Sequence, residues 1–446
     1  MGILRTERMV FVASALAMLS FAGCSGGMPS LPDVAALNPF AEKQQPLPGK
    51  RVPVMLSEGN TGSIELASAD RPIALPPPRQ NDTWSFPGGA ATNAPGHLAL
   101  PATIRTAWSA DIGQGSSKYG RLTASPIVAE GRVFTLDAAG RVTALSNSGS
   151  VAWRTSLVPE KGTDTNAFGG GLAAEGGRLF VATGHGIVTA LDMQGGKKLW
   201  DKNVGSPVRA APTVGGGRIV VVTTDGRTVA LSGHDGAEMW SYRGLPERAS
   251  LLLSASPAMS GDLAVVPYPS GDVVALRVAD GTVAWQDSLS RSRAASSLGS
   301  MSDAASPVID GGTVFAIGHG GRMIATEART GERVWSVNVP GINMPYVAGD
   351  TVYVVDTGGQ LIAMSRRDGK ALWTTRLSGG KSWAGPVLAG GRLWLAADTG
   401  KLLGVNAAGG KVETQLDLGT PVYIAPVVAN GRMYVLTDRA RLISLH

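Results

Sequence analysis

A repeating unit closed by tryptophan dominates the sequence from about residue 105 onward. It has four parts. Pro126-Ile127-Val128 opens it, a Gly-Arg-Val-Phe-Thr-Leu run from Gly131 follows, and a Gly-Arg-Val-Thr-Ala-Leu run from Gly140 comes third. The unit ends in Gly149-x-x-x-Trp153. Later units end in Trp200, Trp240, Trp285, Trp335 and Trp373, each four residues after a glycine, and the seventh ends in Thr414. Each part is a short β-branched and apolar run bounded by Gly, Asp or Asn, which is strand and turn chemistry. Pairs such as Asp225-Gly226, Asp280-Gly281 and Asp368-Gly369 suit hairpins that need positive φ. No stretch carries the period of a long amphipathic helix. Four strands in a unit of roughly 40–50 residues describe one blade of a β-propeller.

Counting the units predicts how the ring closes. The last unit begins at Pro426, holds three strands and lacks its fourth. A lone strand at 105–109 precedes the first unit and carries Trp108, 45 residues before Trp153. Closure removes exposed strand edges, so this strand should complete the final blade. The expected fold is all-β: an eight-bladed β-propeller of four-stranded antiparallel blades over residues 102–446, the last blade closed by an N-terminal strand. Trp108, Trp153, Trp200, Trp240, Trp285, Trp335 and Trp373 are then structural wedges between blades, because large rings at a fixed place in every unit fill core. Trp383 and Trp394 fall outside this pattern and receive no role.

The start of the chain reads differently. Arg5 and Arg8 precede an apolar run from Met9 to Ala22, too short to cross a bilayer and followed by small residues. Residues 1–23 are therefore expected to be an export signal. Phe21-Ala22-Gly23-Cys24 resembles a bacterial lipobox, which implies acylation of Cys24, with Ser25 suited to sorting to the outer membrane. The expected location is the periplasmic face of the outer membrane, held by lipid. Residues 24–101 hold 13 of the 27 prolines and little hydrophobic periodicity, so they read as a flexible tether. Trp84-Ser85-Phe86 is the one short stretch suited to docking on the folded part.

Several chemistries are disfavoured. Cys24 is the only cysteine, which excludes internal disulfides and cysteine-based zinc, iron–sulfur or redox sites. Net charge is +6 with no Lys/Arg block, so no nucleic-acid partner is expected. Gly380-Lys381-Ser382 lacks the spacing and the following helix of a phosphate loop. Gly23-Cys24-Ser25-Gly26-Gly27 has nucleophile-elbow spacing but lies at the export-signal cleavage point. His97, His185, His234, His319 and His446 show no metal-ligand spacing, and no metal or cofactor is expected.

Ala190-Leu191-Asp192…Gly196-Lys197-Lys198-Leu199-Trp200 resembles the PQQ-type propeller repeat. Two groups share that repeat: the quinoprotein dehydrogenases, and the lipoprotein subunit of the machine that inserts β-barrels into the bacterial outer membrane. The first implies a quinone cage with adjacent cysteines and a calcium, and this chain has no second cysteine. The second implies a non-enzymatic scaffold that binds the periplasmic domains of the barrel-insertion protein, other barrel-assembly subunits and unfolded outer-membrane proteins. A propeller serving another envelope protein or a glycan is the remaining alternative. The scaffold reading implies two partner loops, one with Leu-x-Leu-Arg and one with Asp-x-Asp ahead of a blade's leading Pro. Here the first reads Leu251-Leu252-Leu253 before Pro257, with Arg248 on the other side. The second reads Asp303 before Pro307, with Ala305 where the second acid would stand. Leu251, Leu252, Leu253 and Asp303 are thus the candidate contacts. Extra residues at Val158 to Gly171 and Gln286 to Ser306, the latter with Arg291 and Arg293, mark long loops of the kind that carry function.

Overall fold

The computed structural model describes residues 73–118, 120–158, 169–244, 255–289 and 304–446. Cys24 and residues 1–72 lie outside these, as do Leu251, Leu252, Leu253, Arg291, Arg293 and Asp303. The described residues form eight four-stranded sheets, with no helix among them. Blades 1 to 7 are continuous in sequence, at 127–156, 170–203, 213–243, 258–288, 308–337, 346–376 and 383–417. Blade 8 joins both ends of the chain. Its order is Thr106–Asp111, Arg441–Leu445, Arg432–Leu436, Val427–Ala429, with Trp108 opposite Ser444. The predicted ring, its blade count and its closing strand are all present.

Burial explains the strand sequences. A propeller blade is packed between two others, so its middle strands have no solvent face. Arg132–Leu136 and Arg141–Ser146 accordingly read as near-continuous apolar runs and are buried over Val133–Leu136 and Val142–Leu145. The outer strand Val151–Ser156 alternates between exposed and half-buried residues from Ala152 on. Each fully buried Val, Leu or Ile contributes about 1.5–3 kcal/mol, and apolar clusters built from neighbouring blades supply the core.

The glycine four residues before each tryptophan has a physical reason that lies in the blade before. Every outer strand carries a bulge beside its tryptophan or, in blade 7, beside Thr414, as between Ala144 and Leu145 opposite Trp153. Such a bulge re-aims a side chain out of the regular alternation. The indole reaches the next blade and lies over that blade's glycine. Seven such latches occur: Trp108 on Gly149, Trp153 on Gly196, Trp200 on Gly236, Trp240 on Gly281, Trp285 on Gly331, Trp335 on Gly369 and Trp373 on Gly410. A Cβ on any of these glycines would sit 2.5–2.8 Å from the ring, and all seven have φ between 69° and 86°. Six indole N–H groups donate to a backbone carbonyl of the neighbouring blade, as Trp285 does to Ala328 at 2.7 Å. Only the Trp200 indole nitrogen lacks such an acceptor among the described residues.

The junction of blades 7 and 8 has no latch. Blade 8 has no hairpin between its third and fourth strands, because these come from opposite ends of the chain. Ile104, buried, stands four residues before Trp108 where the other units have glycine. Thr414 stands at the latch position of the blade 7 outer strand, opposite Gly404. Its own blade is refilled from inside: Trp394 takes the second-strand place that Phe134 or Tyr353 holds elsewhere, and Gly404 replaces the usual alanine. Trp394 is 1% exposed and donates to Ala389 at 3.0 Å. The roles missing for Trp383 and Trp394 are thus core packing in blade 7.

Residues 73–101, which composition assigns to the tether, instead pack on the ring. Trp84, Phe86, Leu98 and Leu100 are buried, and Trp84 exchanges two backbone hydrogen bonds with Val128, at 2.7 and 2.8 Å. The free edges of the inner strands accept this segment, so it needs no hydrophobic period of its own.

The hairpins between third and fourth strands also carry a pH dependence. Hydroxyl or backbone donors hold four of their acids below the ordinary carboxylate range: Ser232 for Asp235, the backbone of Thr282 for Asp280, Thr330 for Glu327 and Ser365 for Asp368. Such a group contributes stability that is whole above its unfolded-state value and is lost as pH falls through the lower folded value. The urea midpoint should therefore stay level from about pH 7 to 5 and fall as pH drops below about 4; a level midpoint down to about pH 3 would contradict this.

Candidate partner-binding face

Antiparallel strands give the ring two unlike ends. At one end lie the hairpins joining first to second and third to fourth strands. Those between first and second strands are two-residue turns; six have paired positive φ, such as Glu130-Gly131 and Gly311-Gly312, and those of blades 4 and 6 have it at Gly261 and Gly349 alone. At the other end run the blade-to-blade connections and the second-to-third hairpins. Both sequence-predicted contact loops belong to this connection end. The first leaves at Gly244 and rejoins at Ala255; the second leaves at Leu289 and rejoins at Ala304.

The stems of the two loops meet. The Ser256 backbone N–H donates to the Ser306 hydroxyl at 2.9 Å. Gly244 N–H donates to Gly226 O, and Leu289 N–H to Gly271 O at 2.8 Å, anchoring the departing stems on the same blades' hairpins. Ala304 bridges Gly318, and Ala305 N–H donates to Ile317 O at 2.9 Å, so the returning stem extends blade 5 inward. Thr213 Oγ1 donates to Pro257 O at 2.6 Å, which fixes the leading proline of blade 4. Two rigid feet therefore stand side by side on blades 4 and 5. The sequence-predicted leucines and Asp303 belong to the segments between these stems in the chain and lie outside the described residues.

Ala305 has a structural reason to depart from the implied acid. It is 2% exposed and packed with Val308, Ile317 and Val339. A carboxylate there would be buried without a partner, which costs several kcal/mol.

Around the feet the surface is polar and internally paired. Arg243 lies 3.5 Å from Asp225 at this end, and farther along the outer strands Arg333 binds Asp287 across blades 4 and 5. Partial burial pushes the Asp225 carboxyl up, but the Thr223 hydroxyl and Arg243 outweigh it and leave it below the usual range. Tyr268 is buried beneath, its hydroxyl paired with Thr228 and its ring against Tyr242. Burial pushes the Tyr268 phenol up, so it stays neutral. These groups are already satisfied by one another. They suit the rim of a protein interface, where polar contacts frame an apolar anchor, better than proton-transfer chemistry.

A quinone with calcium would need free aromatic faces and gathered acids at the axis. The blade indoles are instead wedged at the outer strands, six of them bonded to backbone carbonyls. Among the described residues no three His, Cys, Asp or Glu side chains lie together. The described residues do not fit that group. The histidines likewise stay apart: His185 and His319 lie on second-to-third hairpins of blades 2 and 5, His234 on the opposite end, and His97 in the segment along the inner strands.

A family profile described as "Outer membrane protein assembly factor BamB" matches residues 138–375 and 366–446. Curated proteins of that name are similar in sequence. The one from Escherichia coli K12 is 33% identical over 247 residues, which is 54% of this chain and 62% of that protein. The one from Alteromonas naphthalenivorans is 30% identical over 243 residues, 51% of this chain and 58% of that protein. The matched region thus spans about three fifths of these relatives. Among solved structures, BamB from Moraxella catarrhalis superposes with TM-score 0.65 at 18% identity, covering 77% of this chain and 98% of that one. The quinohemoprotein alcohol dehydrogenase from Comamonas testosteroni gives 0.66 at 15%, covering 82% and 80%. At these identities the superpositions report the propeller fold alone.

Proposed function

Because the chain belongs to the outer membrane protein assembly factor BamB family, we propose that it is a non-enzymatic scaffold of the outer-membrane β-barrel assembly machinery. In this reading it binds the periplasmic domains of the barrel-insertion protein, works beside other assembly subunits and helps guide unfolded outer-membrane proteins. The observation that supports this most is the meeting, at Ser256 and Ser306, of the stems of the two chain segments that carry Leu251, Leu252, Leu253 and Asp303. A rigid pair of stems limits the ordering entropy that a partner must offset on binding. The leucines then supply a small apolar anchor and Asp303 a charge at its rim.

Purification from detergent-solubilised outer membranes tests this. The barrel-insertion protein should co-purify with the wild-type chain. Replacing Leu251, Leu252 and Leu253 together by Ala should cut its recovery at least about tenfold with the fold intact. Recovery at the wild-type level would refute the placement of the interface, and failure of the wild-type chain to recover it would refute the scaffold reading. Dye reduction on adding PQQ and calcium would instead favour an oxidoreductase. The same reading takes Cys24 as the lipid-bearing residue, since acyl chains contribute about 0.8 kcal/mol per buried CH₂. Cys24→Ser should move the protein from the membrane pellet to the soluble fraction.

A further inference from the structure

Residues 79–99 make one circuit of the ring, touching the blades in order. At blade 8, Asn81 O accepts from Asn430 N–H and the Asn81 amide donates to Val428 O, both at 2.8 Å. Trp84 pairs with Val128 of blade 1, and Ser85 O accepts from Ala174 N–H of blade 2 at 3.0 Å. Phe86 packs in the cluster that includes Val214 and Val221 of blade 3. Ala91 O accepts from Met259 N–H of blade 4 at 2.7 Å, and Thr92 O from Ile309 N–H of blade 5 at 2.9 Å. The Asn93 amide donates to Pro307 O at 2.8 Å. The Tyr346 hydroxyl of blade 6 donates to Gly96 O at 2.7 Å. Leu98 N–H donates to Leu388 O of blade 7 at 3.2 Å, and Leu98 O accepts from Gly390 N–H at 2.9 Å.

The circuit then meets its own start. Arg79 N–H donates to His97 O at 2.9 Å, Ala99 N–H donates to Arg79 O at 2.8 Å, and the Arg79 guanidinium grips Pro95 O. His97 is itself fixed: its Nε2 accepts from Gly391 N–H at 2.9 Å, and its Nδ1 donates to Pro76 O at 2.6 Å. This buckle lies between blade 7, reached by Leu98, and blade 8, reached by Asn81. That is the junction without an indole latch. The chain leaving the buckle also stands in for the missing hairpin of blade 8. Arg392 donates to Ala102 O at 2.8 Å, just as Arg132 donates to Met193 O of the next blade's hairpin at 3.0 Å.

We propose that residues 79–104 are the clasp of the propeller: a belt around the inner strands whose Arg79–His97 buckle holds the blade 7/8 seam in place of the absent tryptophan latch. Ring opening is then governed at the buckle. Because the belt takes inner-strand edges, an extended partner can use those edges only by displacing it. This goes beyond the scaffold reading and does not depend on it.

The test uses the full chain with a protease recognition sequence inserted between Ala102 and Thr103, both exposed. Cleavage after folding separates the belt from the closing strand covalently but leaves both seated. The fragment ending at residue 102 should co-elute with the ring, since its contacts run over all eight blades. Adding Arg79→Ala should then speed amide exchange in Thr106–Asp111 and Arg441–Leu445 at least about tenfold, with Lys198–Asn203 of blade 2 unchanged. Loss of the fragment with seam exchange still at the wild-type rate would overturn the proposal. So would uniform acceleration across blades, or none. If Arg79→Ala does not fold, the cleaved wild-type chain in mild denaturant decides: the seam strands must exchange before those of blade 2.

Discussion

Trp285→Ala is expected to destabilise the protein by about 3–5 kcal/mol, the usual cost of emptying a large aromatic site in a packed core. The ring is 7% exposed, its N–H is bonded to Ala328 O, and its Cβ and Cγ sit over Gly331. The latch has two halves, so Gly331→Ala should be costly by a different route. Its φ of 77° disfavours a side chain, and the added methyl would lie 2.6 Å from the indole. Left-handed backbone and overpacking each cost roughly 1–3 kcal/mol. The informative quantity is the double variant. Trp285→Ala removes the contacts to Cγ at 2.6 Å and Cδ2 at 3.1 Å but keeps a Cβ 2.6 Å from the methyl, so with Gly331→Ala it should cost less than the sum of the singles by only up to about 1 kcal/mol. Urea unfolding of the four proteins measures this, and additivity would mean that ring and glycine are not coupled.

Trp394→Ala should cost as much, about 3–5 kcal/mol, although Trp394 belongs to no latch. The more discriminating change is Thr414→Trp, which restores the motif of the other blades. Thr414, Gly404 and Trp394 form one packed unit, in which a Cβ at Gly404 would lie 3.1 Å from both neighbours. A second indole has no glycine to rest on, because Ile104 occupies that place. Thr414→Trp is therefore expected to destabilise by about 1–3 kcal/mol through overpacking. Thr414→Trp combined with Trp394→Phe should recover part of that loss. Stabilisation by Thr414→Trp alone would show that blade 7 keeps room for a latch.

The site was legible only in part. The leucines and Asp303 stand where the family resemblance puts partner contacts, and the described stems of both loops meet at Ser256 and Ser306. That meeting could not be read from sequence, since it joins residues 50 apart through a backbone N–H and a hydroxyl. Nor could the reason for Ala305. Its burial follows from the short stretch Ala304–Ala305 running on inward beside Ile317, a pairing too brief to leave a period.

The ring itself, its eight blades and its closing strand followed from the spacing of one residue type. A tryptophan at a fixed place is a large, irreplaceable volume, and repeated volumes leave a repeated record in the chain. The belt left no such record. It is held largely by backbone groups of the inner strands, and almost any residue offers a backbone N–H and C=O. Composition therefore described residues 73–101 as a tether, while the fold, by presenting eight unpaired inner edges around one axis, gave them somewhere to bind.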